Sequence, residues 1–263
     1  MRALRRALAA TALALLAGCA TAPAGGGSGG EATSATTPGD PWENWNRKVY
    51  AFNDKVDEAV LKPVATAYRD VVPELVRTGV RNVLGNIGDV WSAANHLLQG
   101  KLQLGLEMGM RVLTNSFFGL GGLLDPATEM GLTRRSEDFG QTLGRWGVGN
   151  GPFVVLPFLG PSTLRDTVGL AVDRQAAPST LPPTIKGQYG VATLELVSLR
   201  AQLLSTTQLL DQVALDRYSF VRDAYLARRR DALYDGAPPM ETFEDEADPG
   251  PAPSPAAPPA KPQ

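Results

Sequence analysis

Few residues in this sequence have the types and spacing that catalysis requires. His96 is the only histidine, so a Ser-His-Asp triad could form only around it, and no Gly-x-Ser-x-Gly elbow accompanies it. Zinc sites use several histidine or cysteine ligands, and this chain offers only His96 and Cys19. The adjacent acids Glu137 and Asp138 could in principle cleave a glycoside, but neighbouring side chains point in different directions, and a position at a helix start explains them better. The sequence therefore predicts a protein that is not an enzyme and has no metal or cofactor.

The thiol of Cys19, the only cysteine in the sequence, is the remaining candidate for chemistry. Three arginines lie within the first six residues, a run of apolar or small residues follows, and the sequence Leu16-Ala17-Gly18-Cys19 closes the segment. This is the three-part layout of a secretory signal, and its end resembles the lipobox of bacterial lipoproteins, whose cysteine is acylated. An ordinary signal peptide with a chance cysteine is the alternative. A lone thiol in an exported protein has no internal disulfide partner, so modification explains Cys19 better.

We therefore predict a signal peptide at residues 1–18 and a lipid anchor, of the diacylglycerol and palmitate type, on Cys19. Several acyl chains on one residue give lasting attachment without a spanning helix. An aspartate after the cysteine would, by resemblance to known lipoproteins, favour retention in the inner membrane, and this chain has Ala20. The outer membrane is the predicted location.

Three segments of different composition follow the signal peptide. Residues 19–39 contain, after Cys19, small residues and Glu31 as their only charge, which predicts a flexible tether. Residues 40–235 are long enough for one domain, and their acidic and basic residues balance. Residues 236–263 are acidic and then rich in proline and alanine, which predicts a disordered tail. A domain without net charge offers no basic field for a phosphate backbone, so nucleic acid is excluded as a partner.

The domain at residues 40–235 has the sequence pattern of an all-α fold. Asp40-Pro41-Trp42-Glu43 combines a capping side chain, a proline for the first turn and a glutamate that can reach back to the cap, which predicts a helix start. The next apolar side chains recur at helical spacing and predict a face buried in protein or lipid: Trp42, Trp45, Val49, Phe52, Val56 and Ala59.

Further along the chain, breaks between short helices are predicted at Pro63, Pro73, Gly85, Gly88 and Gly100. Toward the C-terminus, residues 189–215 and 217–234 predict two longer amphipathic helices. The apolar stripe of the first contains Leu194, Val197, Ala201 and Leu204.

Two apolar segments do not fit a water-soluble helical bundle. Residues 117–124 are apolar but too rich in glycine for a stable helix, and they end at the helix-start signal Asp125-Pro126. Residues 146–164 carry no charge, but their prolines and glycines forbid a simple spanning helix. Irregular backbone at membrane depth is tolerated only where protein buries it or it lines a wet cavity, so a cavity or pore is predicted. The alternative is that both segments are core loops of a soluble domain.

An ordered set of motifs resembles the MlaA (VacJ) lipoproteins. The matching residues begin with Asp40-Pro41-Trp42-Glu43, Asn46-Arg47, Tyr50, Phe52-Asn53-Asp54, Pro63-Val64-Ala65 and Tyr68. They continue with Asn95, Leu98-Gln99-Gly100, Arg111, Asn115, residues 119–125, residues 138–144, Trp146-Gly147-Val148, Gly151-Pro152, Leu156-Pro157, Gly160-Pro161 and Arg165-Asp166. A looser match reaches Asp223-Ala224-Tyr225. No single motif is decisive, but the order of the whole set is.

The resemblance implies a ring of many short amphipathic helices, seated in the inner leaflet of the outer membrane around a central amphipathic channel. It also implies transport. Such a protein removes mislocalised phospholipids from the outer leaflet and passes them to a periplasmic carrier, which maintains lipid asymmetry, commonly beside trimeric porins.

Three groups of residues are candidates for roles in such a channel. We expect a movable hairpin at the channel mouth, formed by Phe117, Phe118, Gly119, Leu120, Gly121, Gly122, Leu123 and Leu124, with a static turn as the alternative. Asn53 and Asp54 are polar on an otherwise apolar face and are expected to hold the channel in one state, unless they simply face solvent. Arg47, Arg111 and Arg165 are candidates for contact with headgroup phosphates, although a surface arginine is usually just solvated.

The alternative function from another class is a structural scaffold of the envelope. Such a lipoprotein would bind protein partners through its amphipathic helices and would need no channel. The apolar segments broken by glycine and proline distinguish the two, because a scaffold could dispense with them. A phospholipase is disfavoured by the lone His96 and the missing elbow.

Overall fold

The computed structural model describes residues 39–239, so the predicted signal peptide, Cys19, nearly all of the tether and most of the predicted tail lie outside the described residues. The described chain is helical apart from one β-hairpin, which confirms the all-α fold. The helices are α1 (Glu43–Val56), α2 (Lys62–Val71), α3 (Glu74–Leu98), α4 (Leu102–Phe117), α5 (Pro126–Glu129), α6 (Phe139–Arg145), α7 (Leu164–Asp173), α8 (Ile185–Val213) and α9 (Arg217–Leu233). A π-helical turn (Asp57–Leu61) joins α1 to α2, and strands β1 (Phe153–Leu156) and β2 (Gly160–Thr163) pair antiparallel.

Burial in the described residues reverses the pattern of a water-soluble helical protein. Helix α3 and the residue that ends it, Gln99, bury a polar face at helical spacing, made of Asn86, Asp89, Ser92, Asn95, His96 and Gln99. Large apolar side chains of α3 and α4 are exposed instead, among them Val90, Leu97, Leu106, Met110 and Leu113. Soluble helices normally place these two classes the other way round. Helices α3 and α4 therefore keep polar side chains inside the domain and present apolar side chains outward.

No helix within residues 39–239 combines the length and the apolar character needed to cross a bilayer.

A buried guanidinium connects α3, α4 and α5. Arg111 is 1% exposed, and its Nε lies 3.1 Å from a carboxylate oxygen of Asp89. Its other nitrogens donate to Asp125 at 2.5 Å, to Thr128 at 2.9 Å and to the Leu132 carbonyl at 2.5 Å. Asp125 in turn caps α5, because its carboxylate accepts from the backbone N–H of Thr128. Arg111 thus fixes the chain on both sides of the segment at residues 117–124.

Two asparagine side chains of α1 fasten the β-hairpin. Asn46 donates to the Phe153 carbonyl at 3.1 Å and accepts from the Val155 N–H at 2.9 Å. Asn53 makes the same pair of bonds further along β1, to the Leu156 carbonyl at 2.9 Å and the Phe158 N–H at 2.8 Å. Seven helical residues rise about 10.5 Å and three strand residues about 10 Å, so the two amides meet β1 in register.

Helix α9 closes the domain through carboxylates at the starts of other helices. Arg229 pairs with Asp138, which caps α6, and with Asp166 in the first turn of α7 at 2.9 Å. The Tyr225 hydroxyl donates to the same Asp166 at 2.8 Å. The prediction that Glu137 and Asp138 mark a helix start is confirmed for Asp138, and Glu137 is instead buried against Gln99 and Lys101.

The capping role predicted for Asp40 at the start of the first helix was wrong. Helix α1 begins at Glu43, after Trp42, which makes no side-chain cap. The Asp40 carboxylate is fully buried, accepts from Asn46 at 2.8 Å and from the Tyr218 hydroxyl, and lies 3.6 Å from Arg222. The carboxylate ties the N-terminus of the domain to α9 rather than capping α1.

Two predicted helix breaks were also wrong. Gly85 and Gly88 lie inside α3, which runs without interruption for 25 residues, whereas Pro73 and Gly100 do flank it. At Gly85 a Cβ would lie 2.5 Å from the Arg134 guanidinium, so that glycine permits a close approach instead of ending the helix. The two long C-terminal helices are confirmed as α8 and α9, and Val197, Ala201 and Leu204 of the predicted stripe are buried.

The apolar face predicted for α1 is only partly covered by protein. Val49 is buried against Phe153, Val155 and Tyr218, but Trp45 is 62% exposed. Trp42 and Phe52 are exposed as well. Burial in lipid, the other alternative for this face, fits these exposed aromatic side chains.

Replacing Arg111 with methionine should destabilise the protein by about 3–5 kcal/mol, because it leaves the buried Asp89 without one of its two arginine partners. Arg69→Met is the control, because Arg69 forms an exposed pair with Asp70 and such pairs contribute about 1 kcal/mol at most. Denaturant titration of the detergent-solubilised protein measures both free energies of unfolding. Equal losses in the two variants would contradict the structural role of Arg111.

Candidate functional site

The tip of the β-hairpin separates two cavities. Phe158 has a left-handed φ of 63° and a side chain that is 68% exposed. Phe158, Leu159 and Leu196 line both a cavity of about 490 Å³ and a cavity of about 310 Å³. We call the first the α7–α8 cavity, after the helices that contribute most of its wall, and the second the α1–α8 cavity. The segment at residues 146–164 therefore lines cavities at its tip, as predicted, while Phe153 and Val155 lie in the core.

Asn53 holds this tip in place. Its two hydrogen bonds reach the Leu156 carbonyl and the Phe158 N–H, so they bracket the turn between β1 and β2. The neighbouring ring of Phe52 packs edge-on against Phe158, with centroids 5.3 Å apart. Asp54 pairs instead with Arg217 of α9 at 3.2 Å. Both predicted polar residues thus have protein partners, and only Asn53 lines a cavity.

The π-helical turn fixes α8 opposite the hairpin tip. Asp57 and Arg200 form a two-bond ion pair with both distances at 2.7 Å. Asp57 also lines the α1–α8 cavity, beside the apolar side chains of Val56, Val60 and Leu61. Because π turns are rare and concentrate at functional sites, this turn supports the α1–α8 cavity as part of the site.

The α7–α8 cavity is lined by both charged and apolar side chains. Its charged side chains are Asp173, Arg174 and Glu195, while Phe158, Leu159 and Leu196 are among its apolar ones. Burial raises the pKa of Asp173, although hydrogen bonds from Trp91 and the Phe139 N–H act against that rise. Burial also raises the pKa of Glu195, with Arg174 and Ser179 opposing it. A molecule with a charged end and an apolar end would find matching surfaces in this cavity.

The predicted channel-mouth segment forms a compact turn after α4. Phe117, Phe118 and Leu120 are each more than 70% exposed, and Gly121 and Gly122 have φ values of 73° and 90°. The turn is fastened to α3, because Asn82 donates to the Leu123 carbonyl at 3.0 Å. Leu123 and Leu124 line a third, apolar cavity of about 480 Å³ with the first half of α3.

The predicted arginines occupy three different settings. Arg47 pairs with Asp216 at 2.7 Å and with Glu43 at 2.8 Å, and its guanidinium lies 4.4 Å from the centre of the Tyr218 ring. These partners raise the pKa of Arg47, the Asp216 hydrogen bond most of all. The bonds of Arg111 all go to protein acceptors of α3, of α5 and of the chain around it, which favours a structural role. The headgroup role of these two arginines stays a prediction.

Arg165 is buried beside Asp166 and lines the largest of these cavities, about 1610 Å³, between residues 144–151 and α9.

The structure does not bring the predicted site residues together. Asn53 lines the α1–α8 cavity, Leu123 and Leu124 line the apolar cavity beside α3, and Arg165 lines the cavity beside α9. Phe158, Arg174 and Glu195 were missed by the sequence analysis. The uncharged segment around Pro157-Phe158-Leu159-Gly160 could have pointed to Phe158. No local pattern distinguishes Arg174 or Glu195 from surface charges.

Comparison with known proteins gives a consistent result. The family model described as MlaA lipoprotein matches residues 38–232. Two relatives named intermembrane phospholipid transport system lipoprotein MlaA, from Shigella flexneri and Escherichia coli K12, are each 40% identical over 190 residues, which are 71% of this chain and 75% of the relative.

A solved structure, reported as the structural basis for maintenance of bacterial outer membrane lipid asymmetry, superposes with a TM-score of 0.65 at 37% identity. The superposition covers 74% of this chain and 98% of that chain. Family model, sequence relatives and fold therefore agree, and the chain belongs to the MlaA lipoprotein family.

Proposed function

We propose that this lipoprotein removes mislocalised phospholipids from the outer leaflet of the outer membrane through an amphipathic passage and passes them to a periplasmic carrier. The observation that supports the proposal most is the pair of cavities on either side of the β-hairpin tip. Their walls combine charged and apolar side chains, as a phospholipid with its headgroup and tails requires. The relatives are named for intermembrane phospholipid transport, and the similar solved structure is reported for maintenance of bacterial outer membrane lipid asymmetry.

The reversed burial supports a place within a membrane leaflet. Exposed aromatic and aliphatic side chains such as Trp45, Leu106 and Phe117 would contact lipid, while the polar face of α3 stays inside. Anchoring by acyl chains on Cys19, followed by the tether of residues 19–39, would hold the domain of residues 40–235 at that depth. Placement in the outer membrane, docking to a periplasmic carrier and a position beside trimeric porins are parts of the proposal that rest on the family resemblance.

We infer transport rather than hydrolysis. His96, the only histidine, is fully buried, and its Nε2 lies 3.1 Å from the backbone carbonyl of Arg135. It lines none of the cavities described above. A lipid in these cavities would therefore have no imidazole beside it to act as a general base.

Deleting the gene should raise surface phospholipid, measured by outer-leaflet-specific labelling or by palmitoylation of lipid A. The wild type should correct the defect, and a Cys19→Ala variant should not, because it lacks the acylated residue. No change on deletion would contradict the transport proposal and favour the scaffold, whose protein partners would then be sought.

Movement of the segment at residues 117–124 is tested by Gly121→Val. A β-branched residue is strained at a φ of 73° and has less backbone freedom than glycine, so the variant should limit the conformations open to the turn, disfavour the observed one, and alter surface phospholipid at normal protein abundance. Gly109→Val is the matched control, because a Cβ there meets no atom within 4 Å and the backbone is helical. Unchanged lipid asymmetry in Gly121→Val would favour the static turn.

Asn53→Ala should release the hairpin tip and speed the passage of labelled phospholipid through the reconstituted protein. Two hydrogen bonds of about 1 kcal/mol each are lost, so the released state should gain roughly tenfold or more in population. Phe158→Ala should have the same effect, because it shortens the side chain that separates the cavities. Asn44→Ala, at an exposed position of the same helix, is the control. Slower or unchanged passage in both test variants would refute the role of the tip as a barrier.

A further inference from the structure

The α7–α8 cavity has a charge pattern that identifies a class of ligand. Its described wall contains one guanidinium, from Arg174, and two carboxylates, from Asp173 and Glu195. Arg174 lies at the end of α7, and Glu195 lies on α8, close enough for mutual electrostatic attraction. The wall therefore offers one cationic and two anionic groups within a space of about 490 Å³.

The geometry points to this cavity as a headgroup site that prefers zwitterionic phospholipids carrying an amine over anionic phospholipids. The inference rests on the proposed function, because it assumes that phospholipid enters the cavity. It adds the class of headgroup that the cavity selects.

The phosphate of such a headgroup matches Arg174. A guanidinium binds phosphate oxygens through paired N–H donors, and such charge-assisted bonds are stronger than neutral ones. Arg174 is the one cation among the described side chains that line this cavity, so the wall provides for a single phosphate charge.

The ammonium group of the headgroup matches the carboxylates. Asp173 uses Oδ1 to accept from the Trp91 indole at 2.7 Å and from the Phe139 N–H at 2.9 Å, which fixes its carboxylate on the cavity wall. Ser179 lies near Glu195 and opposes the rise in the pKa of that carboxyl. Both carboxylates are partly desolvated, since burial raises the pKa of each, and a cationic ligand would relieve that cost.

An anionic headgroup fits the same wall less well. Its phosphate could also meet Arg174, but its uncharged glycerol would add no cation to the carboxylates of Asp173 and Glu195, and its net negative charge would be repelled by them. The acyl chains of either lipid could extend past Phe158 and Leu159 toward Val56 and Val60 of the α1–α8 cavity. The tails therefore contribute equally, and the difference lies in the headgroup.

Native mass spectrometry of the full-length mature lipoprotein in detergent tests this inference. The protein is mixed with equal amounts of phosphatidylethanolamine and phosphatidylglycerol with identical acyl chains, and the first retained lipid is identified. One charge-assisted contact corresponds to about a tenfold preference, so phosphatidylethanolamine should dominate on the wild type by roughly that factor. Glu195→Gln should lower the ratio severalfold, because only Asp173 then remains, and Glu195→Lys should bring it to one or below.

Glu58→Gln is the matched control, because Glu58 is exposed and lines neither cavity, and its ratio should equal that of the wild type. Equal retention of both lipids by the wild type would overturn the headgroup preference and leave lipid binding intact. A shift in Glu58→Gln as large as that in Glu195→Gln would also overturn it. Retention of neither lipid by the wild type would instead contradict the proposed function itself.

Discussion

The structure depends on satisfying buried polar groups inside a domain that exposes many large apolar side chains. A buried amide or carboxylate without a partner costs several kcal/mol, and an apolar surrounding offers no water to replace the missing partner. Asp89, Ser92 and Asn95 on the polar face of α3 meet this constraint through neighbours that are distant in sequence. Asp89 binds Arg111 and Arg134, Ser92 binds the backbone of Glu137, and Asn95 accepts from Thr142.

The same constraint explains how a two-stranded hairpin persists in a helical protein. A lone hairpin is marginally stable because one edge of each strand has no neighbour. Here the amide side chain of Asn46 pairs with the free edge of β1, and that of Asn53 pairs with the turn that follows β1. The hairpin tip can then stand between two cavities without a larger sheet to support it. Its position is set by α1 as much as by its own turn.

In the proposed function, the stability of the helical domain and the passage of lipid depend on different parts of the chain. The ion pairs around Arg111 and Arg229 hold helices to one another, and neither arginine lines a cavity at the hairpin tip. The tip itself is held by the bonds of Asn53 and an aromatic contact, both of which could break without loss of the larger frame. A protein that lets a lipid pass needs such a weakly held element on a firmly held scaffold.

The sequence by itself determined the helical class, the two long C-terminal helices, the turn after α4 and the family, because periodicity, helix-start signals and ordered motifs are local properties of the chain. It located Asn53 as a polar residue in need of a partner. Only the tertiary structure decided which partner that was, and it overturned the roles expected for Asp40, Gly85 and Gly88. The assignment of Arg174 and Glu195 to one cavity wall was equally invisible in the sequence. These outcomes depend on which helices lie side by side. In this chain the helices are held together by buried polar contacts, and those contacts connect residues that are far apart in sequence.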